Sequence, residues 1–260
     1  MPLKNRTAIV TGAGRGLGKS IAKAFAREGA NVMMMSLDED ELMKVADEAG
    51  RVRPGRVIAR AGDVSDEHDV SETVNETFER FQGVDILVNN AGIIGPPRFL
   101  EDADIASWNR TIGVNLGGFF LFTRAVLPHM IEKRRGKIIN IISGLGEMPF
   151  PRFCAYAVSK AGGIQLTRSI ASEMEPYGIQ VNAIDPGVMD TGMQEEIRRL
   201  GPGVLGEEVF REFEEYRNEH LLKNPDDVAP LAVFLASGAS NHITGRIGSM
   251  RFYRQMGWKG

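Results

Sequence analysis

The sequence predicts a doubly wound α/β fold, in which a parallel sheet is covered by helices on both faces. Three observations predict it. Short apolar runs recur along the whole chain, stretches of helical period separate them, and glycines gather at the junctions without forming a period. Parallel neighbours need a crossover connection, and the intervening stretches are long enough to supply one. The 260 residues contain no 20 to 50 residue repeat and no Pro/Ser-rich linker, so a single domain over 1–260 is expected.

The elements follow in order. Thr7 to Val10 reads as the first strand, with a helix over Gly18 to Arg27 directly after it. Asn31 to Met35 and Arg56 to Ala59 read as the second and third strands, and Asp66 to Phe81 as a helix. Asp85 to Val88 is the fourth strand, Asn115 to Met130 a helix, and Lys137 to Ile142 the fifth strand. Tyr156 to Glu175 is a helix before the sixth strand, Gln180 to Ile184, and Ile247 to Tyr253 completes a sheet of about seven. Thr191 to Asn224 breaks the alternation. It is rich in charge and interrupted by Gly201-Pro202-Gly203, which predicts two helices outside the layers. Ligands of open α/β sheets bind beyond the carboxyl ends of the strands, so this segment is placed to act as a lid.

Composition narrows the function classes. The chain is 43% hydrophobic and 25% charged, with a net charge of −3, and shows no basic excess of the kind nucleic-acid binding requires. The longest stretch free of acidic and basic residues, Val228 to Gly245, carries Pro230, Ser237, Gly238, Ser240, Asn241 and His242, and no membrane partner is expected. No leader pattern precedes the first strand. A single cysteine, Cys154, read as a core residue, forms no internal disulfide or cysteine metal cluster. A cytoplasmic protein without metal is expected.

The first strand runs into Thr11-Gly12-Ala13-Gly14-Arg15-Gly16-Leu17-Gly18 and then a helix. Glycines at that junction allow a tight turn and a close approach of backbone to a pyrophosphate, whose charge the helix N-terminus stabilises. The spacing T-G-x-x-x-G-x-G resembles that of the short-chain dehydrogenase/reductase family. The resemblance recurs at Asp63-Val64, Asn89-Asn90-Ala91-Gly92, Asn115, Ser143, Tyr156-x-x-x-Lys160, and Pro186-Gly187 with Thr191, in the same order, over roughly residues 5 to 245. It implies a Rossmann-type domain and a dinucleotide site made by Gly12, Arg15, Gly16, Leu17, Ser36, Asp63, Val64, Asn90, Ala91, Gly92, Tyr156, Lys160, Pro186, Met189 and Thr191.

The catalytic set has a physical reading of its own. Tyr156 and Lys160 stand four apart on one helix face. A phenol is a weak base near neutral pH, but a neighbouring ammonium favours the phenolate, so a lowered Tyr156 pKa is expected. Ser143 at the end of the adjacent strand can donate to the same substrate oxygen. The resemblance further implies that Lys160 holds the nicotinamide ribose and that Asn115 supports a water-linked proton path. Ile142 stands where relatives often carry a second serine. After Ile243-Thr244-Gly245 the chain departs from the family's apolar strand and Asp-Gly-Gly, giving instead a tail with Met250, Phe252, Tyr253, Met256 and Trp258.

Cofactor choice turns on the end of the second strand, Met35-Ser36-Leu37-Asp38. Ser36 occupies the place where NAD-using relatives carry Asp, and Leu37 that where many NADP users carry Arg. Asp38 with Glu41 makes a helix capping box, while Arg15 can meet a 2′-phosphate. These features favour NADP, with NAD as the alternative. Leu145, Glu147, Met148, Pro149, Phe150, Phe153, Met189 and Met193 are candidate liners of a pocket for a medium-sized, partly apolar small molecule. The expected activity is interconversion of a secondary alcohol and a ketone by hydride transfer. A cofactor-binding scaffold without turnover and a nucleotide-sugar epimerase or dehydratase are the competing readings. The helices from Asn115 and Tyr156 carry Gly117, Gly118, Phe119, Phe122, Ala161, Gly162 and Ile164, more small and apolar residues than one buried face needs, and in relatives such helices pair into homodimers or homotetramers.

Overall fold

The computed structural model describes residues 1–260. Seven parallel strands form one sheet: β1 (Thr7–Thr11), β2 (Asn31–Ser36), β3 (Val57–Ala61), β4 (Ile86–Asn89), β5 (Gly136–Ile141), β6 (Ile179–Ile184) and β7 (Ile247–Gly248), in the order β3-β2-β1-β4-β5-β6-β7. Ala8 lies between Val32 of β2 and Ile86 of β4, so the order reverses on either side of β1 and opens a crevice at its carboxyl end.

The strands are buried on both faces, yet their side chains still alternate between two cores. Ala8, Val10, Val32, Met34, Ile139 and Ile141 face one, which α1 (Gly16–Arg27), α2 (Glu39–Gly50) and, nearer the C-terminus, residues 225–236 cover. Ile9, Met33, Met35, Leu87, Ile138 and Val181 face the other, covered by α3 (Glu67–Phe81) and the helices after β4 and β5. Phe25 on one side and Phe122 on the other are fully buried, each stabilising by about 1.5–3 kcal/mol.

Helix starts follow local capping chemistry. Asp66 accepts hydrogen bonds from the amides of His68 and Asp69 at 2.8 and 3.1 Å and opens α3. Asp104 accepts from Ser107 and opens α4 (Ile105–Ile112), which the apolar-run reading passes over. A π turn over Gly113–Gly117 joins α4 to α5 (Gly118–Glu132), with Asn115 at its centre. The continuous stretch 105–132 is long and apolar enough by length and composition to cross a membrane; here α5 packs on β4 and β5. α6 (Cys154–Met174) precedes β6, and Cys154 at its start is half-buried rather than in the core.

Residues 191–224 contain three helices, not two: α7 (Gly192–Arg199), α8 (Gly201–Leu205) and α9 (Glu207–Asn218). The Gly-Pro-Gly interruption is itself a helical turn, because a proline in the first turn sacrifices only an amide that would be unpaired anyway. α10 (Pro225–Ala236), capped by Asn224, follows. The expected seventh strand also needs correction. Only Ile247–Gly248 pair with β6, and residues from Met250 form α11 (Met250–Gln255). Helical spacing turns Tyr253 inward, where its hydroxyl donates to the carbonyls of Ala183 and Arg246, both at 2.9 Å.

Candidate active site

A cavity of about 850 Å³ lies at the carboxyl ends of the strands, between the glycine turn and helices α7 and α9. Gly12 takes φ +62°, and a Cβ there would stand 2.8 Å from the Ala91 Cα; one on Gly18 would overlap the Gly12 carbonyl oxygen. The turn therefore tolerates no side chain at either position. Asn90 braces it by donating from Nδ2 to the carbonyls of Thr11 and Gly12 at 2.9 and 3.1 Å, while Thr11 Oγ1 accepts from the amides of Asn90 and Ala91.

Gly12, Arg15, Gly16, Leu17, Ser36, Asp63, Val64, Asn90, Ala91 and Gly92 all line this cavity together with Tyr156, Lys160, Pro186, Met189 and Thr191. A backbone turn of this kind at the N-terminus of α1 fits a pyrophosphate. Ser36 approaches the turn, its Oγ 3.2 Å from where a Cβ on Gly14 would stand. Asp38 accepts from the Glu41 amide at 2.9 Å, as a helix cap does. Asp63 is engaged by Ser65 and by the Arg110 guanidinium at 2.6 Å. Burial works against its charge, but those hydrogen bonds prevail and hold its pKa below the usual carboxylate range.

Lys160 is 3% exposed, its Nζ donating to the Ile141 carbonyl at 2.9 Å and lying 5.6 Å from the centre of the Tyr156 ring. Burial without a carboxylate partner lowers its pKa to about 8. Tyr156 is 9% exposed, and its pKa is pushed up to about 12 by burial and by the negative charge of Asp185, with hydrogen bonding to Ser143 pulling the other way. The expected lowering is therefore reversed, because desolvation of the phenolate, with the Asp185 charge added, outweighs what favours it. Asn115 Oδ1 accepts from the Ile93 amide at 2.8 Å, and its Nδ2 donates to the Ile93 carbonyl and Ser159 Oγ at 2.9 and 3.0 Å. Asn115 and Lys160 converge on Gly92, where an added Cβ would lie 3.3 and 3.5 Å from their polar atoms.

The substrate end differs from the sequence reading. Leu145, Met148, Pro149, Phe150, Met189 and Met193 line the cavity. Glu147 is exposed and is not a lining residue, and Phe153 packs behind the wall with Phe213. Besides Asp38, Glu41 and Asp63, the carboxylates that line it are Asp185 and Glu212, with Gln194 from α7 and Phe213 and Tyr216 from α9. Their positions along the chain carry no signal of this meeting, since α9 reaches the cavity only through the fold of residues 191–224.

A phosphate turn and a buried phenol with an ammionium-bearing neighbour, open to one cleft, suit a dinucleotide-dependent oxidoreductase. The chain belongs to the short-chain dehydrogenase family, whose model matches residues 6–200, and NAD(P)-dependent oxidoreduction is the chemistry of that family. It is 40% identical over 248 residues to the oxidoreductase UcpA of Salmonella typhimurium, covering 94% of this chain and 92% of the relative. Levodione reductase superposes with a TM-score of 0.88 at 29% identity, over 98% of this chain and all of that one. The 3-ketoacyl-(acyl-carrier-protein) reductase of Brucella melitensis complexed with NADH gives 0.83 at 33% identity, over 95% and 97%.

Proposed function

We propose that the protein interconverts a secondary alcohol and a ketone, with NADP as its cofactor and Ser143, Tyr156, Lys160 and Asn115 as its catalytic residues. The observation that carries this reading is the buried Tyr156 phenol lining one cavity with Ser143, with Lys160 beside it, in a cleft that continues to the glycine turn. A nicotinamide held in this cavity would supply or accept the hydride. Tyr156, protonated at neutral pH, donates its proton to the ketone oxygen and takes it back in the reverse direction. Ser143 holds that oxygen by a second hydrogen bond. Lys160 places a positive charge beside the phenol and donates to the Ile141 carbonyl, with donors left that would hold a nicotinamide ribose, while Asn115 fixes the Ile93 segment and leads toward Lys160.

NADP is supported by Ser36, which offers no carboxylate to repel a 2′-phosphate, and by Arg15 at the same mouth of the cavity. Residues 191–224 act as a substrate lid: Met193, Ile197 and Phe213 form its apolar underside. For self-association, the structure redirects the sequence argument. Gly118, Phe119, Phe122 and Ile164 are buried within the chain, and Gly162 faces Leu116. The surface left for a partner copy is that of Phe120 and Val158, 51% and 45% exposed. A homodimer or homotetramer built on α5 and α6, in the cytoplasm, completes the reading.

Tyr156→Phe tests it. Loss of turnover by at least about a hundredfold, with NADPH affinity retained, is expected because the proton donor alone is removed. Near wild-type turnover on a ketone the native enzyme reduces would overturn the assignment.

A further inference from the structure

The cavity is asymmetric in charge. Its lining as a whole includes three cations, and each already has a partner in the protein: Arg15 pairs with Glu196 at 2.9 Å, Arg110 with Asp63 at 2.6 Å, and Lys160 Nζ with the Ile141 carbonyl. Beside the Ser143 and Tyr156 hydroxyls, the same lining carries the acceptors of Asp185, Glu212 and Gln194. Asp185 Oδ1 accepts from the Gly187 amide at 3.0 Å, and Oδ2 stands 3.5 Å from where a Cβ on Gly144 would be, beside Ser143. Glu212 receives the Tyr216 hydroxyl at 3.1 Å. Gln194 Oε1 is buried with no hydrogen-bond partner in the protein, which is costly unless something that binds there donates to it.

Around these acceptors stand aromatic rings. Phe150 and Phe213 meet edge to face at 6.0 Å, and Phe213 and Tyr216 at 6.5 Å. Such walls favour a flat or apolar body, and a carboxylate among them repels an anion while rewarding a hydroxyl or an ammonium.

Resting on the proposed reductase activity, we infer that this enzyme selects ketones and alcohols that carry a hydrogen-bond donor away from the reacting carbon and no negative charge, with Asp185 and Glu212 as the discriminating residues. Carboxylate-bearing substrates of the same shape are rejected.

Three ketones of one frame test this: 4-(hydroxymethyl)acetophenone, 4-(aminomethyl)acetophenone and 4-acetylbenzoate, each followed through NADPH oxidation. The expected kcat/KM for the hydroxymethyl and aminomethyl ketones is at least about tenfold above that for the carboxylate. Asp185→Asn combined with Glu212→Gln keeps both the Gly187 and Tyr216 contacts possible and should close the gap to within about threefold. Each single variant is measured as well, so that a poorly folded double variant does not decide the matter. Equal or better use of 4-acetylbenzoate by the native enzyme overturns the inference, and so does an undiminished gap in every variant. Calorimetric affinities on the NADP-loaded native protein separate the two claims. Selective binding without NADPH oxidation counts against the reductase activity alone, whereas equal binding of all three, or binding of none, counts against the selectivity.

Discussion

Arg15 and Glu196 form an ion pair of 2.9 Å that ties the glycine turn to α7 across 181 positions of sequence. The same guanidinium is the one cation at the turn suited to a 2′-phosphate, so with the proposed NADP as cofactor Glu196 would compete for it.

From that competition follows a cofactor prediction. Glu196→Gln should tighten NADPH by up to about fivefold, as expected from releasing an exposed pair of at most ~1 kcal/mol, and leave NADH unchanged. Arg15→Ala should weaken NADPH by about tenfold and NADH by less than about twofold. Fluorescence titration of both cofactors reads this, and equal losses for the two would remove Arg15 from the 2′-phosphate.

The pH profile of ketone reduction should be set by Lys160 and not by Tyr156. Tyr156 stays protonated up to about 12, so it contributes no falling limb in the accessible range. Lys160 carries its charge below about 8 and loses it above, so kcat should decline as pH rises through about 8. A first decline near pH 10 would contradict this order of titration.

Lys160 also costs stability. Its folded pKa of about 8 lies below the usual 10.5, so between those values the unfolded chain binds more protons and native stability rises with pH. Below pH 8 the penalty is fully present, at roughly 1.4 kcal/mol per pKa unit. Lys160→Met, which forfeits one hydrogen bond, should therefore be more stable than the native protein by on the order of 2 kcal/mol at pH 7, inactive, and no more stable at pH 10.5. Urea unfolding at the two pH values checks it; a gain independent of pH would implicate packing instead.

Association through α5 and α6 predicts that Phe120→Arg, which places a charge at the centre of the exposed apolar patch, shifts the mass seen by light scattering at micromolar concentration to that of one chain. A native protein that is already monomeric would refute the assignment of this face.

Strands β1 to β6 were legible within one or two residues because continuous apolar runs between glycines have few other uses. Met250, Phe252 and Tyr253 misled because three apolar residues in four fit a strand as well as a helix; the Tyr253 amide donating to the Ser249 carbonyl at 3.0 Å and the burial of Tyr253 decide for the helix. α4 was recoverable from Asp104 and the Ile105, Trp108, Ile112 spacing. The glycine turn, Ser143, Tyr156 and Lys160 were legible because backbone chemistry and fixed helical spacing write them locally. Asp185, Gln194 and Glu212 were not, since only the folded lid brings them to one cavity, and the direction of the Tyr156 shift depends on burial that spacing does not encode.

The brevity of β7 has a consequence for the sheet as a whole. A border strand with a long free row of amides and carbonyls is an open template on which a foreign strand can lengthen the sheet. Here the border offers two residues before the chain turns into α11, and the Tyr253 hydroxyl clasps the backbone of β6 and of the residue before β7 from behind. The molecule is thus sealed on that flank against uncontrolled fibre-like growth, and its tail acts as the hem of the sheet.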